Sequence, residues 1–503
     1  MYPAEFLDEA YAYAGAVDTS LTANAAGISA GDGINVIENY NSINVVSEVD
    51  AGSSAQANTT GDSVTYSESY AGGKAGAIGI VAGGGQNTIT NFKDGNITVK
   101  AKADGHAYAY ADEVAHAYVG SGGKPGVIAE AIGISAGDGI NTIINCGTLE
   151  VTAEAIAKAE ESIGGDKGFS YAKAYATATG IRTGDGDDII INCGRIVTTT
   201  IKKENSSEVT SSGTAISSGA GNDQVFLLDA SESDGQINLG DGDDWLTFWG
   251  NPLVTGDVTG AVGTDALVFE GAGSIDFTPV AFENAIKQGP GTYSVPSLPT
   301  MQRIEVNQDT LQINSNYTMA NDSNFQATVN GDGTNGLLKV EGTAQLAGDL
   351  RVIKGPGPYI NGTTYDIIQA DVLNGVFGSE TLPEAKPLLS FQTHTYSDRL
   401  EVEALAKSFT TVAANSLQRT IAQHLDNIIP KATGDLSLVL GDFQVLSESD
   451  FNEAFASLSP DSYDISTRIT FDIARLYVES LHQRMHSLRA NLTSPSTVTQ
   501  AKS

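Results

Sequence analysis

The sequence predicts an all-β solenoid, a parallel β-helix with a C-terminal β cap and a short α-helical segment. Three observations carry that prediction. A glycine-rich motif recurs at offsets of 52, 54 and 47 residues. Small and large, or apolar and polar, residues alternate with period two between its copies, which is a strand signal. The 503 residues include 56 glycines, well above the usual share of about 7%, as a chain of repeated tight turns requires. Self-similarity at such periods marks a stacked architecture.

The copies start at Gly27-Ile28-Ser29-Ala30-Gly31-Asp32-Gly33-Ile34-Asn35, Gly79-Ile80-Val81-Ala82-Gly83-Gly84-Gly85-Gln86-Asn87, Gly133-Ile134-Ser135-Ala136-Gly137-Asp138-Gly139-Ile140-Asn141 and Gly180-Ile181-Arg182-Thr183-Gly184-Asp185-Gly186. Shorter relatives follow at Gly219 and Gly240. In each long copy a short strand leads to an Asn-centred turn, because Asn tolerates positive φ. Stacking then puts Asn39, Asn91, Asn145 and Asn192 in one ladder of side-chain amides. Tyr40, Phe92, Cys146 and Cys193 fall in the next column.

The spacers are rich in alternating alanine, as in Ala107-Tyr108-Ala109-Tyr110-Ala111. Alanine is a helix former, yet the period of two favours a strand with alanines facing a thin core. Each long repeat is then two rungs, or one rung with a protruding hairpin. The choice decides the two cysteines. One rung per repeat puts Cys146 and Cys193 at a strand spacing of about 4.8 Å, within reach of a disulfide, whereas two rungs put them about 10 Å apart.

The expected organisation is a repeat-built β-helix over 1–255 and an irregular, proline-broken transition over 256–300. A β-helix continuation or cap follows over 301–405, then a helical linker-like region over 406–490 and a loose tail over 491–503. Within the helical region, Ser416 to Ile429 reads as a helix stopped by Pro430, and Leu436 to Leu446 as a helix interrupted at Gly441. Phe451 to Ser457 reads as a short helix and Tyr463 to Arg489 as a long amphipathic one.

Charge narrows the function classes. Lys and Arg number 27 against 61 Asp and Glu, a formal net charge of −34, of which −25 falls in residues 1–300. That balance disfavours nucleic acid and anionic membrane surfaces. No run of eighteen apolar residues suggests a transmembrane helix. The opening residues carry no basic segment of the kind that begins a signal peptide. Two cysteines make neither a disulfide scaffold nor a zinc cluster.

Gly27–Gly31 and Gly133–Gly137 match a nucleophile-elbow pattern, but the serine recurs with the scaffold and becomes Val81 in the middle copy, so turn geometry explains it. His482 and His486 stand at i,i+4, with Gln483 where a zincin has glutamate. The acidic turns are the better lead. Ser218–Val225 and Leu239–Leu246 resemble the calcium-binding nonapeptides of RTX proteins, although they recur at 35 and 21 residues rather than nine. That resemblance makes calcium the candidate cofactor, with Asp185, Asp187, Asp188, Asp223, Asp241, Asp243 and Asp244 as candidate ligands.

The second half is similar to the end of a bacterial autotransporter (type V secretion) passenger. The residues that carry the likeness are Leu337–Leu350, Tyr365-Asp366-Ile367-Ile368-Gln369-Ala370 with Leu373–Phe377, Ala413–Gln418 with Ala422–Asp426, and Ala454–Tyr463. The first two resemble a pertactin-like region that caps the coil. The resemblance implies a Gram-negative cell-surface or extracellular protein whose final helix threads an outer-membrane β-barrel translocator during secretion. No alternating strand series remains for that barrel, so the expectation is a passenger-plus-linker fragment, a processed product, or a relative whose barrel is separate. The expected function is an adhesive or structural, self-associating rod without catalytic residues. Its expected partners are host or neighbouring-cell surfaces, glycans or copies of itself. The alternative is a carbohydrate-acting or calcium-binding β-helix.

Overall fold

A computed structural model describes residues 12–15, 19–57, 65–111, 114–119, 126–163, 167–458 and 477–487. The chain forms a parallel β-coil in which one repeat makes one rung. Gly33–Asn39 pairs in register with Gly85–Asn91, and that strand with Gly139–Asn145. The resulting sheet, here sheet 1, has 12 strands and runs from Gly33–Asn39 to Ser379–Thr381. Sheets 2 and 3 complete the early rungs, with seven and ten strands. The ladder step shrinks from 54 residues at Gly85 and Gly139 to 18 at Ala266 and Asn284 and grows again to 30 at Asp349 and Ser379, so the rungs are shortest in mid-coil.

The surplus length of the early repeats lies in a fin. Strands Ser42–Ala57, Asn96–Ala111 and Thr148–Ile163 of sheet 2 each hold 16 residues. At about 3.3 Å per residue they reach about 50 Å, far past the core of the later rungs. Beyond the corner they pack face to face on Thr65–Val81, Val114–Val119 and Val127–Ser135 of sheet 3. Two rungs per repeat are therefore excluded, and the long spacers are strands. Alanine faces inward at Ala101, Ala103, Ala107, Ala109 and Ala111, and Ala71, Ala75, Ala115 and Ala117 are buried opposite. The alternating tyrosines point out. Where a larger residue faces in, its neighbour shrinks: a Cβ on Gly105 would lie 2.5 Å from the Val127 side chain.

The segment 256–300 differs from the expected irregular transition. Ala266–Glu270 and Asn284–Gln288 continue sheet 1 in parallel register, and Asn284 aligns with Arg303. Its prolines sit mostly in the turns, because each strand here is only two to five residues long. Parallel stacking stops at a hairpin. Arg399–Ala406 pairs antiparallel with both Thr363–Gly375 and Leu389–Thr395.

Three helices cover this end: Ser416–Ile428, Gly434–Gln444 and Phe451–Ser457. The first is capped by the Asn415 side chain, and Pro430 lies in the 3-10 turn that follows. They share a small core of Phe409, Ala422, Leu425, Leu440, Phe443, Phe451 and Phe455. Gln444 ties it to the coil, accepting from the Tyr359 N–H at 2.7 Å and donating to the Tyr359 carbonyl at 2.8 Å. Gly441 does not interrupt its helix. A Cβ there would lie within 3 Å of the Gly357 backbone, so glycine serves close packing. Residues 477–487 are helical and exposed, apart from half-buried Leu481, while the start of the long helix expected from Tyr463 lies outside the described residues.

The alanine core predicts intolerance to size. Ala155→Leu is expected to destabilise the coil by about 1–3 kcal/mol through overpacking. Outward-facing Lys158→Leu is expected to change stability by less than about 0.5 kcal/mol. Urea unfolding of both variants tests this, and equal effects would refute the two-sheet fin.

Candidate functional site

Three columns of polar side chains climb the turns that flank sheet 1. The first holds the ladder asparagines. Asn39 Nδ2 donates to Asn91 Oδ1 at 2.8 Å, Asn91 to Asn145 at 2.8 Å, and Asn145 to Asn192 at 2.9 Å. Asn192 hands on to Ser233 Oγ at 3.1 Å. An amide suits the position because it both donates and accepts, so each buried residue satisfies its neighbour. Beside this column Tyr40 stacks on Phe92 with ring centroids 4.2 Å apart. Cys146 and Cys193 form a disulfide with Cα atoms 4.4 Å apart.

The second column begins as the same device and changes chemistry. Asn35 donates to Asn87 and Asn87 to Asn141, each at 2.7 Å. Asn141 then donates to Asp188 Oδ1 through its Nδ2 at 2.9 Å and its backbone N–H at 2.7 Å. From there the residues are carboxylates. The backbone N–H of Asp188 donates to Asp223 Oδ1, that of Asp223 to Asp244, and that of Asp244 to Asp265, at 2.7–2.8 Å. All four aspartates are buried. Each has its Oδ2 buried without a hydrogen-bond partner. The nearby hydroxyls of Thr183 and Ser218 donate to backbone carbonyls of the next rung instead.

Burial therefore pushes these carboxyls up. Asp223 rises to about 7, with the charges of Asp188 and Asp244 adding to desolvation. Asp244 rises to about 6, burial first and then Asp265, Asp243 and Asp241. Asp265 rises to about 6 through burial, Glu283 and Asp243. Asp188 is raised by burial, with Asp187 adding to it. What the column can do chemically is take up protons near neutral pH.

The third column is exposed. Asp187 Oδ1 accepts from the Asn222 N–H, Asn222 Oδ1 from Asp243 N–H, and Asp243 Oδ1 from Thr264 N–H, at 2.8–2.9 Å. Asp185 and Asp241 align through backbone bridges with Ala220 between them. The seven candidate calcium ligands thus separate into three rows. Calcium wants six to eight oxygens around one point. Among the described residues no three His, Cys, Asp or Glu side chains converge as a metal site. In the two hydrogen-bonded rows, one oxygen of each aspartate already serves a backbone N–H.

Asp265, Asn35, Asn87 and Asn141 extend the buried column beyond the candidate aspartates, and the sequence carries a signal for them. Each column member follows a corner residue by four: Gly31, Gly83, Gly137, Gly184, Gly219 and Gly240 lead to positions 35, 87, 141, 188, 223 and 244. The series continues to Asp265 through Ala261, which takes φ 77° where Gly219 and Gly240 take 95° and 100°. Alanine at that corner hides the pattern. Ser29 and Ser135 share a column of sheet 3 with Val81 and Arg182. His482 and His486 are exposed on the 477–487 helix.

No known protein family and no curated protein matches this sequence. No described helix is long and apolar enough to cross a membrane.

Two outcomes follow for the columns. Asn145→Ala leaves the Asn91 amide without its acceptor, and chemical denaturation is expected to show a loss of about 1–3 kcal/mol; an unchanged midpoint would sink the ladder. The carboxylate column sets a pH dependence. Its folded pKa values lie above the unfolded value of about 3.9, so its stabilising contribution is complete below pH ~4 and is lost as pH rises through ~6–7. Asp223→Asn is expected to raise stability at pH 8 relative to the parent, on the order of 2 kcal/mol, and to change it little at pH 4. Denaturation at both pH values reads this directly.

Proposed function

We propose that the chain is a surface-displayed or secreted passenger of the autotransporter type, acting as an adhesive or structural, self-associating rod rather than as an enzyme. One observation supports this best. The rungs stack in register, so outward side chains form rows at strand spacing. Tyr70, Tyr118 and Tyr171 align across three rungs, with Tyr70 and Tyr118 stacked at 5.1 Å and Phe169 5.7 Å from Tyr118. Glu154 lies between Lys100 and Lys203 of the neighbouring rungs. A surface of repeated rows works by multivalency, because weak contacts add when many engage together.

The autotransporter assignment rests on the likeness of residues 300–490 to a passenger terminus. The described residues up to 458 of that stretch form the last coil rungs, a hairpin and a helical cap. On this reading the partners are host or neighbouring-cell surfaces, glycans or further copies. An outer-membrane β-barrel would be engaged during secretion by a Gram-negative cell.

The intact chain coupled to beads at graded density is expected to attach to cells or glycan surfaces about a hundredfold more tightly at high density than free chain does. A Phe169→Ala/Tyr171→Ala variant is expected to attach less. Absence of attachment at every density, or release of sugar fragments from the glycan, would overturn the reading.

A further inference from the structure

The outer face of sheet 3 in the fin gathers four side chains that can bind a metal. Thr65–Val81 and Val114–Val119 run side by side there, with Glu68 directly opposite His116. Each strand contributes a pair two residues apart, Tyr66 with Glu68 and His116 with Tyr118. Ser67, Ser69, Ala115 and Ala117 are buried on the inner face. Period-two alternation therefore turns Tyr66, Glu68, His116 and Tyr118 to the other side, where each is half-buried.

These four side chains lean together. The Tyr66 hydroxyl lies 3.2 Å from His116 Nδ1, and so does the Tyr118 hydroxyl. The Tyr66 hydroxyl also donates to Glu68 Oε1. Nδ1 carries either one lone pair or one proton, so one well-directed hydrogen bond cannot serve both phenols. Ligands held about 2.0–2.2 Å from a common ion, the usual range for N and O donors, sit about 3 Å apart when neighbouring bonds are at right angles. The two contacts at Nδ1 have that spacing. Phe169 of the next rung packs edge-on against His116 at 6.1 Å and lies 5.7 Å from Tyr118. An apolar wall of this kind limits the access of water to a metal. Burial first, and then Glu68, pushes both phenols up. A cation beside them acts in the opposite sense.

We propose that Tyr66, Glu68, His116 and Tyr118 are the protein ligands of a binding site for ferric iron. The chemistry of the set selects the ion. Three of the four donors are hard oxygens, and imidazole suits iron as well as zinc, copper and nickel. Phenolate oxygen is an iron ligand. Two phenolates and one carboxylate carry three negative charges, which a trivalent cation cancels and a divalent one does not. Uncancelled charge is costly where groups are partly removed from water. Binding converts two phenols to phenolates and releases two protons, and no electron is transferred. This inference rests on the fold and not on the adhesive reading.

Ferric nitrilotriacetate titrated into the intact chain is the test. One equivalent is expected to bind saturably and to give a phenolate-to-iron charge-transfer band in the visible. Excitation in that band is expected to enhance tyrosine vibrations in the resonance Raman spectrum of the parent protein, a readout that needs no variant to fold. Tyr66→Phe/Tyr118→Phe keeps both rings and is expected to abolish the band while the circular dichroism stays that of the parent. His116→Gln is expected to weaken iron binding roughly tenfold or more. Tyr175→Phe, on the same sheet but outside the cluster, is expected to leave band and affinity unchanged. Four results would overturn the inference. They are no saturable binding, binding without phenolate vibrations, a band that survives the loss of both phenols, or tighter binding of zinc(II) or copper(II) than of iron when their nitrilotriacetate complexes compete.

Discussion

Successive rungs of this coil approach so closely at one corner that only glycine fits there. A Cβ on Gly85, Gly139, Gly186, Gly221, Gly242 or Gly263 would lie within 3 Å of the backbone of the rung before. That approach aligns the strands that follow, and alignment turns each outward or inward position into a column. The amide ladders, the disulfide and the aromatic rows all depend on it. A Cβ at any of these corners would push two rungs apart, and the columns on both sides would lose register together.

The same stacking explains why charge is sparse and alanine abundant. Most described strands of the coil are hydrogen-bonded on both edges, and alternate residues along them face a core. In the fin that core lies between two sheets and is filled mostly by alanine, with a few valines such as Val119 and Val127. Alanine removes little apolar surface individually, and long paired strands make up for it by number. The middle rungs use Leu, Phe and Tyr, such as Phe248, Phe269 and Tyr293, and need strands of only two to five residues.

The carboxylate column sets two effects against each other. Asp188, Asp223, Asp244 and Asp265 each accept a backbone N–H that would otherwise go unpaired in a buried turn. The same burial leaves the other oxygen of each carboxyl without a donor and pushes the group toward its protonated form. The Asn35–Asn87–Asn141 stretch meets the same geometric need with amides and carries no such penalty. The switch from amide to acid falls where the long repeats give way to short ones.

Repetition made much of this protein legible from sequence alone. Parallel stacking, strand identity in the Ala-Tyr spacers and the membership of the Asn39 column follow from spacing, because a coil copies each position one rung on. Strands such as Arg303–Val306 and the helix Phe451–Ser457 were readable from local pattern. Tertiary structure decided what spacing leaves open. Whether 52 residues make one rung or two depends on how the surplus chain folds back, and only the packing of sheet 2 on sheet 3 settles it. That packing also brought Cys146 within reach of Cys193. Which aspartates are buried and which merely cap a turn is likewise invisible in Gly-Asp-Gly-Asp-Asp, since neighbouring residues of one strand face opposite sides. Local sequence specifies the turn, and only the rung above and the rung below decide whether its side chains meet water, an amide or another carboxylate.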